Sequence, residues 1–493
     1  MYKAHEDIDH RETDQPGLVG ERCVSRRDFL KLAGIAGATI GVGAGLGGVL
    51  AGCGQEETTT TTAGGTATTA PGTTTTTAAA STTTVSAGAE LGREIKIGFV
   101  TPLTGAIASF AVSDEYSVER WKEIVGDGMV LGDGKKHPIK FVMRDTQSDP
   151  NRSSQVAGDL ILNDKVDMIL AASTPDTVNP AADQAEALGT PFISCDAPMD
   201  SYFFGRGGKV DTGFKWTYHF FWAGFQIVPT FLDIWAKIPT SKVVGVMFPN
   251  DPDGLAWADL WPPLFEQGGY TVVDPGRYQD GTEDYTQMIS LFKKEGVEIV
   301  TGVVIPPDFV NFSKQSAQQG LVPKIVTGGK AMLFPQTAEA IGKPGYGVTC
   351  EQWWGPTFPF KSSLTGETCQ ALADDFEKRK NLQWTQPLMH FALFEVAADV
   401  LKRATDVDDK ENILAALKTT KMTDSVAGPM DWTAPVKDGT AHPNPNGVTT
   451  PVVGGQWVPG AKHAFDIKIV VNTTAPNIAI EADMKPLEAF ITN

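Results

Sequence analysis

From Glu94 onward the chain alternates short apolar runs with amphipathic stretches, and it does so twice in the same order. "EIKIGFV" opens the first series and turns at "TPLTG"; "SVERWKEIV" then sets Val118, Trp121 and Ile124/Val125 on one side of a predicted helix. "PIKFVMR" reads as a strand, and "DPNRSSQVAGDLILND" as a helix opened by Asp-Pro. "VDMILAA", "NPAADQAEAL" and "TPFIS" continue as strand, helix and short strand. A second series follows "FKWTYHFFW". It runs through strand "KVVGVMF", a Pro-interrupted helix "GLAWADLWPPLFEQGG", strand "YTVVD", helix "EDYTQMISLFKKEG", strand "VEIVTGVV", helix "PDFVNFSKQSAQQG" and strand "VPKIVTG". Strands alternating with helices at this spacing imply βαβ units and parallel sheets. The economical account is an α/β chain with two doubly wound Rossmann-like lobes. A third section departs from the pattern, with an isolated strand in "YGVTCEQWWGP", three helices between residues 369 and 420, and a turn-rich β tail ending near "GGQWVPG".

The N-terminus carries address rather than fold. "SRRDFLK", with Arg26 and Arg27, precedes an uncharged, Gly-rich stretch from Leu32 to Cys53. This arrangement resembles the signal read by the bacterial twin-arginine export machinery. The stretch ends in "LAGC", which resembles a lipobox and makes Cys53 the expected acylation site. An intact membrane anchor is the competing reading, since about 20 uncharged residues span a bilayer; the abundance of glycine weakens it. "GAGLGG" satisfies GxGxxG, but no strand precedes it, so a dinucleotide site is rejected on context. The Thr/Ala/Gly tract that follows lacks residues able to build a core and reads as a disordered tether over 53–93. The remaining stretch of roughly 400 residues suffices for two sizeable cores.

A formal net charge of −18 argues against nucleic acid or anionic lipid as partners. Cys195, Cys350 and Cys369 remain in the body, with no metal-ligand spacing among them. In an exported protein Cys350 and Cys369 are candidates for a disulfide, contributing on the order of 3 kcal/mol if geometry permits; Cys195 would then be a buried free thiol. The histidines show no HExxH spacing, and His219 and His390 lie in apolar runs that suit core or hinge positions. No GxSxG elbow or phosphate loop occurs. No cofactor, metal or catalytic residue is expected. Ser173 to Thr177, "STPDT", stand between a buried strand and a helix, where hydroxyls either cap the helix or hold a ligand.

"IKIGFVTPLTG", "DPNRSSQVAGDLI", "STPDTVNPAADQAEALGTPFIS", "DYTQMISLFKKEGVEIV" and the late "GPMDW" together resemble the leucine/isoleucine/valine-type solute-binding proteins of ABC importers, over roughly residues 94–460. The resemblance implies the class I periplasmic-binding-protein fold, with two lobes joined by three crossover strands and a small ligand in the cleft. The crossovers would fall near Trp216–Tyr218, Gly347–Thr349 and Val426–Pro429. Lobe 1 would then comprise 94–217 and 348–426, and lobe 2 would comprise 218–347 and 427–493, with Pro229 starting the first helix of lobe 2. It implies hinge closure around an amino-acid-like, carboxylate or amide ligand, a monomer, and ABC permease subunits as partners; a sensory receptor of the same fold is the alternative, and an enzyme a remote one.

The contact positions it implies in lobe 1 are Ser173, Thr174, Thr177, Cys195, Asp196, Ala197 and Tyr202. In lobe 2 they are Asp253 and Lys330, with Trp353 and Trp354 at a crossover, of which strand alternation turns only one to the cleft. Two departures stand out. The Tyr-Gly usual after the strand near "FPNDPDGLAW" is missing, and Lys330 stands where a carboxylate or small polar residue is usual, which would favour an anionic ligand. The family's frequent lobe-one disulfide has no cysteines here.

Overall fold

The computed structural model describes residues 88–434 and 444–491. Arg26, Arg27, Cys53 and the Thr-rich tract up to residue 87 lie outside the described residues. Each strand–helix series builds its own sheet. In the first, β1 (Ile95–Thr101), β2 (Ile139–Asp145), β3 (Met168–Ala172), β4 (Phe192–Cys195), β5 (Thr217–Phe220) and the late β11 (Gly447–Val448) run in the order β11-β5-β4-β3-β1-β2, every pair parallel. The second contains β6 (Val243–Met247), β7 (Thr271–Val273), β8 (Ile299–Val304), β9 (Ile325–Lys330), β10 (Thr349–Gln352), β12 (Val453–Pro459) and β13 (Phe465–Val471). Their order is β13-β12-β10-β9-β8-β6-β7, with the last two strands in sequence antiparallel.

Helices cover both faces of the sheets, which is why β3 and β8 are buried at every residue and read as unbroken apolar runs. Local signals set the helix ends. Asp149 accepts from the Arg152 N–H at 2.6 Å and Pro150 sits in the first turn of the helix Pro150–Leu162. The helix Pro306–Gln319 stops at Gly320, whose φ of 69° suits a residue without Cβ. The short edge strand β11 is held by Asn446, which accepts from Phe214 N–H at 2.7 Å and donates to Phe214 C=O at 2.8 Å.

The passages between lobes correct the sequence-based boundaries. Thr217–Phe220 pairs with β4, so the first passage lies at 221–223 rather than Trp216–Tyr218. Thr349–Gln352 pairs with β9 and β12, which moves the second beyond Gln352 rather than at Gly347–Thr349. Gly447–Val448 pairs with β5, which keeps residues 444–448 with the first sheet and moves the third passage from Val426–Pro429 to 449–452. The first and third passages are tied together: Phe221 N–H donates to Val448 C=O at 3.1 Å and Thr450 N–H to Phe221 C=O at 3.2 Å. The first helix of lobe 2 begins at Gly224, with Pro229 inside it. Among the described residues no helix is long and apolar enough to cross a membrane.

The proposed Cys350–Cys369 disulfide is also corrected. Cys350 sits within β10 of the second sheet. Cys369 begins the helix Cys369–Lys380, which packs on the first lobe through the Tyr116–Asp375 hydrogen bond at 2.8 Å. Cys195, Cys350 and Cys369 are all buried free thiols. Alkylation after denaturation without reductant is therefore expected to label all three, and reductant to leave the melting temperature unchanged. Recovery of a Cys350–Cys369 linked peptide would contradict this arrangement.

Candidate functional site

Ligand sites in open parallel sheets lie beyond the carboxyl ends of the strands. Here those ends face one another across the lobes. From the first sheet, β3 leads to Thr174 and β4 to Asp196; from the second, β9 ends at Lys330 and β10 leads to Trp353. Together with Phe110, Phe221, Trp222, Asp253, Trp257, Trp261 and Glu351 they line a cavity of about 380 Å³. Its interior has room for about one or two waters.

Three of the lining or adjoining residues adopt backbone conformations that side chains avoid: Ser173 at φ 143°, Asp196 at φ 74° and Lys330 at φ 65°. Strain of this kind persists where surrounding structure enforces it, commonly at ligand-binding sites. At Lys330 the turn sends the side chain back into the interlobe space. Its ammonium meets Asp251 at 2.9 Å and Asp253 at 3.6 Å from lobe 2, and Asp176 at 3.6 Å from lobe 1. Asp251 is positioned as the cap of the helix Pro252–Gln267, one oxygen accepting from Gly254 N–H at 2.5 Å while the other faces Lys330. Gly254 is required there, because a Cβ would stand 2.2 Å from the Pro249 carbonyl oxygen.

Lys330 is therefore already neutralised, and the anionic ligand expected from its presence has no waiting counter-charge. Burial would lower its pKa, but the surrounding aspartates hold it well above the usual lysine value. Burial pushes Asp253 up to about 7, against the pull of Lys330. Glu351 is likewise pushed up to about 7 by burial; one of its oxygens accepts from the Lys330 backbone N–H at 3.3 Å and the other has no partner.

Across the cleft, Asp196 is held by His390. Burial alone would lower the imidazole pKa, but Asp196 at 2.5 Å and Asp114 at 2.6 Å raise it to about 10. His390 is thus a buried cation that fixes one Asp196 oxygen and leaves the other unpartnered. Thr101 donates to the far side of Asp114, so the row is anchored at the end of β1. Cys195, Asp196 and His390 lie close enough to hold a metal, yet both His390 nitrogens already engage carboxylates.

Of the sequence-derived contacts, Thr174, Asp196, Asp253, Lys330 and Trp353 border the cavity. Ser173, Thr177, Cys195, Ala197, Tyr202 and Trp354 do not. Tyr202 stacks on His219 at 4.1 Å inside lobe 1, Trp354 packs against Trp384, and Cys195 and Ala197 belong to the core. Neither Ser173 nor Thr177 caps the helix Pro175–Ala187: the cap position is Thr174, whose hydroxyl donates to Asp176 at 2.9 Å. The sequence reading missed Glu351 and the aromatic wall. Trp257 and Trp261, four residues apart on one helix, carried a usable signal; Glu351 carried none, since its role follows from strand pairing. A second interlobe cavity, about 660 Å³, is lined by Glu377, Trp384, Lys462 and His463 among others. There Glu377 is shared by His463, at 2.9 Å, and Lys462.

Two mainly parallel sheets thus present their strand ends to a shared cavity, and the chain passes three times between them. Residues 94–447 match the family described as periplasmic binding protein, and the chain belongs to it. It is similar to Leu/Ile/Val-binding protein homolog 3 of Brucella melitensis, with 21% identity over 348 residues, 69% of this chain and 87% of that one. The fold resembles a leucine-binding protein from Thermotoga maritima (TM-score 0.64, 17% identity, 77% of this chain and 99% of that one). It also resembles an ABC-transporter solute-binding protein from R. palustris in complex with 4-hydroxybenzoate (TM-score 0.61, 18% identity, 81% and 100%). Membership makes this a solute-binding protein of a family whose location is extracytoplasmic.

The raised carboxyl of Glu351 has a stability consequence. A group whose folded pKa exceeds its ordinary value of 4.5 contributes stability that is full below that value and is lost as pH rises through about 7. Glu351→Gln cannot titrate. Its stability relative to the unsubstituted protein is therefore expected to improve by about 1–3 kcal/mol between roughly pH 4.5 and pH 8 in urea unfolding. A difference that stays constant across that range would contradict the burial of an uncompensated carboxylate.

Proposed function

We propose that the protein is exported by the twin-arginine route and acylated at Cys53. It then captures a small organic solute between its lobes and presents the closed form to the permease subunits of an ABC importer, acting as a monomer. The reading of the site rests on one observation above all: buried polar atoms without partners, on Asp196 and Glu351, converge from opposite lobes on one cavity at the strand ends. Unpaired buried acceptors cost about 1–3 kcal/mol each, a cost that a bound ligand removes. The aromatic rings around them supply an apolar wall for the body of the solute. Thr174, Asp196, Asp253, Lys330 and Trp353 are the residues we assign to contact. Relatives whose names specify leucine or 4-hydroxybenzoate support an amino-acid-sized ligand.

Closure follows from the passages at 221–223, just beyond Gln352, and at 449–452, which act as a hinge. In the closed form Lys330 reaches Asp176 across the cleft and Phe110 meets Phe334 edge-on at 4.9 Å. Solute extracted from the purified protein and identified by mass spectrometry is expected to raise the melting temperature of the stripped protein and to shrink its radius of gyration. Trp353→Ala is expected to weaken that binding about tenfold or more, the loss of one aromatic contact of about 1.5 kcal/mol. Binding without compaction, or unaffected by Trp353→Ala, would refute the interlobe site.

A further inference from the structure

The lining of the cavity says more about the solute than its size does. Three carboxylates reach it, Asp196, Asp253 and Glu351, and each residue is no more than 4% exposed. The cation that lines it, Lys330, is shared among Asp176, Asp251 and Asp253. Behind Asp196, His390 is shared between Asp196 and Asp114. Around this centre six carboxylates thus face two cations. Burial makes that excess costly, and without a further cation it is met by proton uptake, as the raised carboxyls of Asp253 and Glu351 show.

The unpartnered atoms have a definite chemistry. Asp196 Oδ1 and Glu351 Oε2 are acceptors that lack donors. Gly329 leaves room beside Glu351, since a Cβ there would stand 3.4 Å from Glu351 Oε2. The rest of the wall is aromatic: Phe110, Phe221, Trp222, Trp257, Trp261 and Trp353. Phe221 and Trp353 meet edge to face at 5.2 Å, and Trp222 and Trp257 lie 6.0 Å apart. Aromatic faces carry negative electrostatic potential and attract ammonium groups, most strongly when desolvated. Trp222, Trp261 and Trp353 also hold buried indole N–H groups without acceptors, a complement for a neutral oxygen.

We propose that the solute is a small organic cation: a primary or secondary amine, protonated, with a neutral oxygen acceptor and no carboxylate. The amine donates to Asp196 and Glu351 from opposite lobes and lies against the indoles, so the ligand itself supplies the missing positive charge. A zwitterionic amino acid brings no net charge, and an organic anion adds to the excess. The inference rests on the solute-receptor reading and narrows it to a charge class.

The test is calorimetric titration of ligand-stripped protein with two matched series differing in charge alone: leucinamide, leucine, isocaproamide and isocaproate; phenylalaninamide, phenylalanine, hydrocinnamamide and hydrocinnamate. The amine amides are expected to bind at least tenfold more tightly than their zwitterionic, neutral and anionic counterparts. Glu351→Gln and Asp196→Asn, both isosteric, are each expected to weaken the amine at least tenfold. Tighter binding of an amino acid, amide or anion overturns the cation assignment and leaves the receptor reading standing. No binding by any member overturns both. Amine binding unchanged in both variants also overturns the assignment, because the carboxylates would then not be the contact.

Discussion

The buried ammonium of Lys330 is the interaction on which the closed arrangement depends. It sits at the end of β9 in a backbone conformation that favours glycine, and three aspartates from two lobes converge on it. A buried charge cluster of this kind gives little net stability, because desolvation consumes most of the Coulombic gain. Its value is positional. It ties the helix that begins at Pro252 to the helix that begins at Pro175, and so sets how closely the strand ends of the two sheets approach. Around it the sheets hold the cavity, the passages hold the sheets, and the aromatic wall fills the space between.

In the function proposed, one site serves both capture and signalling of occupancy. Acceptors on Asp196 and Glu351 belong to different sheets and find a common donor only when both lobes contact the same solute. Opening removes the solute's second set of contacts, so the ligand shifts the population toward the closed form by its extra affinity for that form. The His390 row plays a supporting part: it fixes one oxygen of Asp196 through a buried cation and leaves the other free for the cleft. On the opposite side Asp253 has both oxygens engaged, one accepting from the Trp257 indole N–H at 2.7 Å and the other facing Lys330 at 3.6 Å.

Much of the fold was legible because it depends on periodicity. The β1, β3, β6, β8 and β9 runs are covered on both faces, so their apolar character survives in sequence, and the helices carry Asp caps or leading prolines. Lobe boundaries were not legible in the same way. Gly447–Val448 is too short to register as a strand, yet its pairing with β5 moves the third passage by about 20 residues, since short β signals carry little propensity information. At the site, Asp196, Asp253, Lys330 and Trp353 were reached through family resemblance, but their roles were not. Lys330 suggested an anionic ligand until its three aspartates were located, and Asp176 and Asp251 gave no sign in sequence of meeting it. Glu351 was invisible because strand register alone decides which way a residue on β10 points. Tyr202 and Trp354 were misplaced for the related reason that an aromatic beside a crossover packs equally well inward.

The central claim is that the solute is held between the lobes at the strand ends by groups from both sheets. A crystal structure of the protein with its co-purified solute tests it most directly. The account predicts density between the Trp257 and Trp353 rings, with a donor atom within hydrogen-bonding distance of Asp196 Oδ1 and Glu351 Oε2. Density instead in the second cavity beside Glu377 and Lys462, or contacts confined to one lobe, would contradict it.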